Sequence, residues 1–252
     1  MGTLLAASLA TLVFCAPGYP GAAGDAQPFV DKFASAAASA AGWPAGSLAA
    51  VYDPTEEGGL AKLGGAEAML AFVPYPFFVE HGASLHLTPI AQADVTGTGT
   101  QERWTLVGKA GSLTGPPSLA GYTLLSIAGY APQFVRHSAL AGWALPADVR
   151  IESSGQILSV LRRVASGEKV AALLDQTQAA ALPTLPFAAQ LQAVTQSSQL
   201  PVALVVVVDS RLPEARARAV QAGLLKMGHD TAATDTLRSL HLQGFVQPRL
   251  PQ

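Results

Sequence analysis

The sequence predicts an α/β protein of two lobes that are joined by two chain crossings. Apolar runs of strand length alternate with longer segments of helical periodicity. A polar, glycine-rich stretch at residues 96–100 interrupts this alternation and is typical of a flexible connection. The most apolar run, residues 202–208, follows a second α/β unit, and the simplest arrangement returns it to the sheet of the first unit.

The first unit has the order strand–helix–strand–helix–strand, which predicts a parallel sheet with right-handed crossovers. Its first strand ends at Pro17, and a helix follows with Asp25 as the expected N-cap. A shorter helix is expected after Thr55, because two glutamates follow this N-cap residue and favour the helix dipole. The expected strands are 11–16, 47–52, 69–73 and 85–93, and the expected helices are 25–41 and 55–63.

The second unit continues the alternation, with strands expected at 103–109, 122–125, 149–152 and 170–174 and helices at 129–140 and 156–165. Pro132 is acceptable in the first turn of its helix, where no N–H is needed. Two further helices are expected at 212–227 and 231–240. We therefore expect each lobe to be a mixed, mostly parallel sheet flanked by helices. Lobe 1 would comprise residues 11–98 and 202–252, and lobe 2 residues 99–201.

Composition excludes several classes of function. The chain has 15 basic and 17 acidic residues without a run of like charge, whereas a nucleic-acid binder needs a basic stripe to neutralise phosphates. Cys15 is the only cysteine, so a disulfide within the chain is impossible and a cysteine-based metal site is not expected. None of the five histidines is four residues from another. We therefore expect no nucleic acid, no metal and no cofactor.

The N-terminus has features of an export signal. Residues 1–10 are a possible, partial signal segment, because an apolar run is followed by small residues near Ala10. No basic residue precedes Lys32, so the start is weak or truncated, and Phe14 is too bulky for a lipoprotein box before Cys15. No other segment reaches about 18 uninterrupted apolar residues, so no transmembrane helix is expected in the body.

Four of the five tyrosines lie at or just after predicted strand ends, where open α/β sheets bind their ligands. A tyrosine offers a ring for stacking and a hydroxyl for one hydrogen bond, and it loses little rotamer entropy. Such positions also suit half-buried structural tyrosines, so both roles remain open. These candidate ligand-binding residues are Tyr19, Tyr52, Tyr75 and Tyr130.

Two small polar segments precede predicted helices and are further candidates. Ser126, Gly129 and Tyr130 open the helix at 129–140, where free N–H groups favour an anion and a glycine lets it approach the backbone. The alternative is that Ser126 only caps its own helix. Ser153 and Ser154 form a similar loop before the next helix.

Asp175 ends an apolar strand and has two possible roles. Its carboxylate either faces a cleft and binds a donor or cation, or caps the next helix in a capping box with Gln178. Neither a G-x-S-x-G elbow nor a G-x-x-x-x-G-K-[ST] phosphate loop is present. With no acid–base pair or nucleophile motif, we expect a binding protein and no catalytic residues.

The order of several local motifs carries a resemblance to a known family. They are APGYPG at 16–21, AFVPYP at 71–76, SIAGY at 126–130, LDQ at 174–176 and the helical tail at 212–245. In this order the chain resembles the type 2 periplasmic solute-binding proteins, most closely the phosphate/phosphite/phosphonate ABC transporter substrate-binding family. That family usually has a Ser/Thr-rich helix start in lobe 2, where this chain has Ser126 alone.

The resemblance implies a receptor that binds a small polar or anionic ligand, phosphonate- or phosphate-like, in the interlobe cleft. Its partners would be that small molecule and the membrane permease of an ABC-type uptake system, and we expect a periplasmic monomer. Two alternatives stay open: an enzyme on the same two-lobe fold, which needs a catalytic set in the cleft, and a sensory ligand-binding module.

Overall fold

The structure, a computed structural model, describes residues 10–19, 22–208 and 211–251. The first part of the chain forms β1 (Ala10–Cys15), α1 (Ala23–Ala40), β2 (Leu48–Asp53), α2 (Glu56–Gly64), β3 (Ala68–Pro74), α3 (Tyr75–His81) and β4 (Leu87–Val95). The expected signal segment lies almost wholly outside the described residues, as do Pro20 and Gly21 of the APGYPG motif.

The chain then crosses on β5 (Gln101–Glu102) into a second unit. This unit contains β6 (Thr105–Lys109), β7 (Thr123–Ser126), α4 (Pro132–Phe134, continued by a π-helical turn at Val135–Ala139), β8 (Arg150–Ser153), α5 (Ile157–Ser166), β9 (Val170–Leu174), α6 (Gln176–Ala181) and β10 (Leu191–Gln196). The chain returns on β11 (Leu200–Pro201) to β12 (Ala203–Val208), α7 (Glu214–Met227), α8 (Thr234–Ser239) and β13 (Leu242–Val246).

Two sheets of the same plan organise the molecule. The first, with its helices, is called lobe 1 below and has the strand order β2-β1-β3-β12-β4-β13. The second, with its helices, is called lobe 2 and has the order β8-β7-β9-β6-β10. In each sheet three parallel strands are followed by one antiparallel strand, β12 or β6, which comes directly from the other unit. Each sheet is thus completed by a strand that arrives across the hinge.

The hinge consists of the two crossing strands. β5 and β11 pair antiparallel, with Glu102 opposite Leu200 and Gln101 opposite Pro201. The two passages of the chain are therefore hydrogen-bonded to each other at the point where the lobes join. This confirms the predicted two-lobed α/β fold with a hinge of two crossing strands.

Separate apolar clusters support the lobes, and one cluster joins them. In lobe 1 the rings of Phe14, Phe33 and Phe72 interlock between the sheet and α1, with centroids 5.2–6.5 Å apart. A further cluster runs from lobe 1 into lobe 2, where Phe134 contacts Tyr75 of lobe 1 at a centroid distance of 6.0 Å. Each fully buried ring stabilises the fold by about 1.5–3 kcal/mol. The lobes are therefore in apolar contact.

Two expectations about helix starts were wrong. Helix α1 begins at Ala23, so Asp25 is not its N-cap but lies in its first turn, where the charge still favours the dipole. The helix expected at residue 129 begins at Pro132, because a turn of five residues separates it from the end of β7. Thr55 does cap α2, as expected, by accepting a hydrogen bond from the Gly58 N–H.

None of the described helices combines the length and apolar character that a membrane span requires.

Candidate functional site

A cavity of about 230 Å³ lies between the lobes, and we call it the interlobe cavity. Its walls follow the carboxyl ends of β1 and β2 in lobe 1 and of β7 and β8 in lobe 2. They comprise Pro17, Gly18, Pro54, Thr55 and Glu56 on one side and Ile127, Tyr130, Ser153, Ser154 and Gly155 on the other. These four parallel strands, two from each sheet, therefore end at one shared space. Open α/β sheets bind their ligands at this place, beyond the carboxyl ends of the strands.

Internal hydrogen bonds fix the residues at the rim of the interlobe cavity in both lobes. Thr55 is fixed there because its N–H and hydroxyl both donate to Asp53 Oδ1, at 2.9 and 2.7 Å. In lobe 2 the Ser154 N–H donates to the Ser126 carbonyl at 2.8 Å. Helices α2 and α5 begin next to these two segments, so their positive dipole ends approach the cavity from opposite lobes.

Deeper between the lobes, three buried polar atoms have no hydrogen-bond partner among the described residues. They are Glu102 Oε1, Trp104 Nε1 and the hydroxyl of Tyr130. Of these, Trp104 Nε1 faces the Glu102 carboxyl, and this contact opposes the rise in the carboxyl's pKa. Glu102 is only 4% exposed and Trp104 only 1%. Because a buried polar atom without a partner costs about 1–3 kcal/mol, such atoms are rare and need an explanation. With Tyr19 and Asp175, we call these residues the inner polar cluster.

Electrostatics shows that the members of the inner polar cluster are neighbours. Burial raises the pKa of the Glu102 carboxyl to about 8, and the charge of Asp175 adds to the shift. Burial also raises the pKa of Tyr19, followed by the charges of Glu102 and Asp175. The pKa of Tyr130 is raised by burial first and then by Tyr19. Tyr19 is 39% exposed as a residue, so it lies at the edge of the inner polar cluster.

Asp175 caps helix α6, which confirms the capping-box alternative. Its Oδ1 accepts a hydrogen bond from the Gln178 N–H at 2.7 Å, and Gln178 Oε1 accepts one from the Asp175 N–H at 3.3 Å. Asp175 is buried, and burial is the main cause that raises its pKa. Its carboxylate thus fixes a helix and also places negative charge beside Glu102.

Five of the nine predicted site residues lie in the interlobe cavity or the inner polar cluster. Tyr130, Ser153 and Ser154 line the interlobe cavity, while Tyr19 and Asp175 belong to the inner polar cluster. Their role in binding stays a prediction.

The other four predicted residues lie elsewhere. Tyr75 is buried between Phe78 and Phe134, and Tyr52 lines a different cavity within lobe 1. The Ser126 hydroxyl donates to the Leu173 carbonyl at 2.7 Å and accepts from the Ala128 N–H, so it serves lobe 2 itself. A Cβ on Gly129 would overlap the Glu152 carbonyl, so this glycine allows the turn to pack on β8, not on a ligand.

Sequence reasoning missed Glu102, Trp104 and Glu56. A carboxylate and a tryptophan two residues apart, directly after the predicted lobe crossing, were the available signal for the first two. Glu56 was interpreted only as a helix-dipole residue, yet it lines the interlobe cavity and its Oε1 lies 2.8 Å from His81 Nε2.

Direct contacts hold the lobes in a closed arrangement. Gly18 of lobe 1 has a φ of 85°, and a Cβ at this position would overlap the carbonyl oxygen of Ile127 in lobe 2. Nearby, Glu80 of lobe 1 accepts a hydrogen bond from the Gln133 N–H of lobe 2 at 2.8 Å. Glycine at position 18 is therefore required both by its backbone conformation and by the approach of the other lobe.

Comparison with known proteins identifies the family. A family model described as "ABC transporter, phosphonate, periplasmic substrate-binding protein" matches residues 76–250, well over half of the chain. The chain belongs to this family. The phosphonate substrate-binding proteins are solute-binding receptors of ABC importers, so the family implies a small-molecule ligand, a permease partner and a periplasmic location. No curated protein sequence matches the chain significantly.

Solved structures show the same two-lobed fold. A Xanthomonas citri protein with bound chloride has a TM-score of 0.71 at 16% identity, over 97% of this chain and 93% of its own. A binding-protein component of a phosphonate ABC transporter from Pseudomonas aeruginosa has a TM-score of 0.62 at 14% identity, over 95% and 82%. PhnD1 from Prochlorococcus marinus, solved with methylphosphonate, has a TM-score of 0.58 at 13% identity, over 96% and 93%.

Proposed function

We propose that this phosphonate-family receptor closes on a small zwitterionic solute that carries phosphonate-like oxygens and a cationic nitrogen, and presents it to an ABC permease. The observation that carries the proposal is the set of unpartnered atoms in the inner polar cluster. Trp104 Nε1 faces the Glu102 carboxyl itself, so the groups that a ligand has to satisfy are Glu102 Oε1, which needs a donor, and the Tyr130 hydroxyl, which takes either a donor or an acceptor. A ligand with a cationic donor and an acceptor oxygen would satisfy both groups when the lobes are closed.

The interlobe cavity supports the proposal that part of the ligand carries phosphonate-like acceptor oxygens. The hydroxyls of Ser153 and Ser154 lie in its walls, and two helices begin beside it. Glu56, the acidic residue of these walls, is paired with His81. Neutral donors and helix N-termini are a recurring way to bind an anionic group. The methylphosphonate in the Prochlorococcus protein is compatible with this half of the proposal.

The carboxyl groups between the lobes support the proposal that the ligand also carries a cationic nitrogen. Among the described residues no lysine or arginine lines the interlobe cavity, and Arg103 donates instead to the Ser197 carbonyl at 2.8 Å. Glu102 and Asp175 lie together without a basic partner. A ligand that offers only negative oxygens would be repelled by the Asp175 carboxylate, whereas an ammonium group would stabilise the ionised form of both Glu102 and Asp175.

We further propose that the protein acts without catalysis, as a periplasmic monomer that is exported by its N-terminal segment. Cys15 is the one thiol of the sequence, and burial raises its pKa to about 12, which leaves it protonated and a poor nucleophile. This supports a receptor over an enzyme on the same fold.

Calorimetric titration with 2-aminoethylphosphonate, methylphosphonate and inorganic phosphate tests the proposal. We expect 2-aminoethylphosphonate to bind most tightly. Glu102→Gln should raise the Kd for this ligand by about tenfold or more, since losing about 1.4 kcal/mol of ion pairing changes Kd tenfold. It should leave methylphosphonate binding within a factor of about two.

Glu214→Gln is the matched control, because Glu214 is exposed and forms an ion pair with Arg218 on the surface. The proposal of a zwitterionic ligand is wrong if phosphate binds more tightly than 2-aminoethylphosphonate. It is also wrong if Glu102→Gln leaves the affinity for 2-aminoethylphosphonate unchanged.

A further inference from the structure

Lobe 1 contains a second and larger cavity, of about 520 Å³, that shares no lining residue with the interlobe cavity. We call it the lobe-1 cavity. Its walls come from the ends of β1, β2 and β3, the first half of α1, the hinge ends of β4 and β12, and the turn between α8 and β13. The loop after β1 separates the two cavities: Pro17 and Gly18 face the interlobe cavity, whereas Ala16 and Tyr19 face the lobe-1 cavity.

The walls of the lobe-1 cavity are apolar. None of its lining residues is Asp, Glu, Lys or Arg, and they include Phe14, Phe29, Val30, Phe72, Val95 and Leu240. Five polar side chains line it, Cys15, Tyr19, Tyr52, Ser239 and His241, and two of them are committed elsewhere. The Ser239 hydroxyl donates to the Thr236 carbonyl at 2.7 Å, and the Cys15 thiol is directed at the Thr55 carbonyl. Water inside would find few hydrogen-bond partners, so an apolar molecule would displace it favourably.

Two exposed aromatic side chains line the lobe-1 cavity. The described chain exposes five large apolar side chains, and two of them, Tyr19 at 39% and Phe29 at 42%, line this cavity. Single exposed apolar side chains are normal, but exposed apolar side chains that cluster at a concave site indicate a binding surface. Aromatic rings supply large contact areas for small apolar ligands.

We infer that the lobe-1 cavity is a second binding site, which takes an uncharged aromatic or short aliphatic molecule. It shares no lining residue with the interlobe cavity, and Tyr19 of the inner polar cluster lies at its boundary. Its volume lies within the range of about 300–1,000 Å³ found for small-molecule pockets. An apolar cavity of only about 150 Å³ already binds benzene in another protein. Tyr52 lies in the wall and adds one hydroxyl for a ligand with a single polar group.

Fluorescence titration with N-phenyl-1-naphthylamine, an uncharged dye that emits in apolar surroundings, tests this site. The wild-type protein should give a saturable rise in emission. Ala26→Phe places a ring in the cavity from helix α1 and should weaken dye binding by about tenfold or more, by blocking the space. Ala203→Leu, from the sheet side, is a second filling variant that serves if Ala26→Phe does not fold.

Ala40→Phe is the matched control, because Ala40 lies in the same helix, is exposed and does not line the cavity. It should bind the dye like the wild type, and Ala26→Phe should bind 2-aminoethylphosphonate like the wild type. The inference is overturned if the wild type shows no saturable emission, or if folded filling variants bind the dye unchanged. It is equally overturned if 2-aminoethylphosphonate displaces the dye competitively, and each of these outcomes leaves the polar-ligand proposal to its own titration.

Discussion

Glu102 is placed where the two chain crossings meet and where both lobes can influence it. Strand β5 pairs with β11 at this residue, and the side chain is buried beside Asp175 with one oxygen unpartnered. Burial in a low dielectric disfavours the charged carboxylate, and the neighbouring negative charge adds to this effect. Without a cation in the cleft, the folded protein therefore holds a proton on Glu102 that the unfolded chain would release.

This proton makes stability depend on pH. The pKa of Glu102 is about 8 in the folded protein, against 4.5 ordinarily, so between these values the native state binds more protons than the unfolded state. The free energy of unfolding should be highest below about pH 4.5 as far as this residue is concerned, and should fall as pH rises to about 8. Urea unfolding at a series of pH values measures the slope.

Glu102→Gln should flatten this part of the profile, because glutamine has no proton to lose. Glu214→Gln, at an exposed ion pair, should leave the slope as it is. The tyrosines Tyr19 and Tyr130 face the same space, but their raised pKa values keep both neutral across this range. A Glu102→Gln profile parallel to that of the wild type would show that Glu102 is ionised in the native protein.

At the scale of single elements, helix α6 combines a structural and an electrostatic role in one residue. Asp175 and Gln178 form a capping box, which the sequence predicts because both residues and their spacing are local. The same carboxylate lies in the inner polar cluster. Substitution by asparagine separates the two roles, because asparagine caps a helix as well as aspartate does but carries no charge.

Asp175→Asn should therefore keep the stability of the wild type and weaken binding of 2-aminoethylphosphonate. Asp175→Ala should lose about 0.5–2 kcal/mol of stability as well, as expected for loss of an N-cap. Thermal unfolding and calorimetric titration measure the two effects. Equal ligand affinity in Asp175→Asn and the wild type would leave Asp175 as a helix cap alone.

Elements with strong local signals could be predicted, and elements formed by tertiary context could not. The apolar strand β9 was predicted at residues 170–174, where it lies. Helix α3 was missed because its Tyr75–Pro76 start was interpreted as the end of a strand, although proline is favourable in a first helical turn. Strand β10 was missed because half of its sequence, LQAVTQ, is polar, and it lies at the edge of its sheet.

The site could be predicted only in part for the same reason. Strand ends are visible in the sequence, but the direction of a side chain beyond a strand end depends on packing. Tyr75 turns into helix α3 and packs on Phe134, while Tyr52 faces the lobe-1 cavity. Glu102 and Trp104 are visible in the sequence as a pair after the lobe crossing, but which of their atoms lack partners depends on the packing of the finished fold.

At the scale of the whole molecule, the central claim is that two lobes close on a ligand around the β5–β11 hinge. Both sheets take their antiparallel strand from the other side of this hinge. We propose that the lobes divide at residues 99 and 202, and that the contact of Gly18 with Ile127 forms only on closure. A side chain at position 18 would then act as a wedge that keeps the lobes apart.

Small-angle X-ray scattering tests this claim most directly. The radius of gyration should decrease when the wild-type protein is saturated with 2-aminoethylphosphonate, and Gly18→Ala should keep the larger radius with or without this ligand. Gly46→Ala is the control, because Gly46 also has a positive φ, of 74°, but has open space around it, so it should compact like the wild type. A wild-type radius that does not change on saturation, or a Gly18→Ala protein that compacts fully, would contradict closure around the hinge.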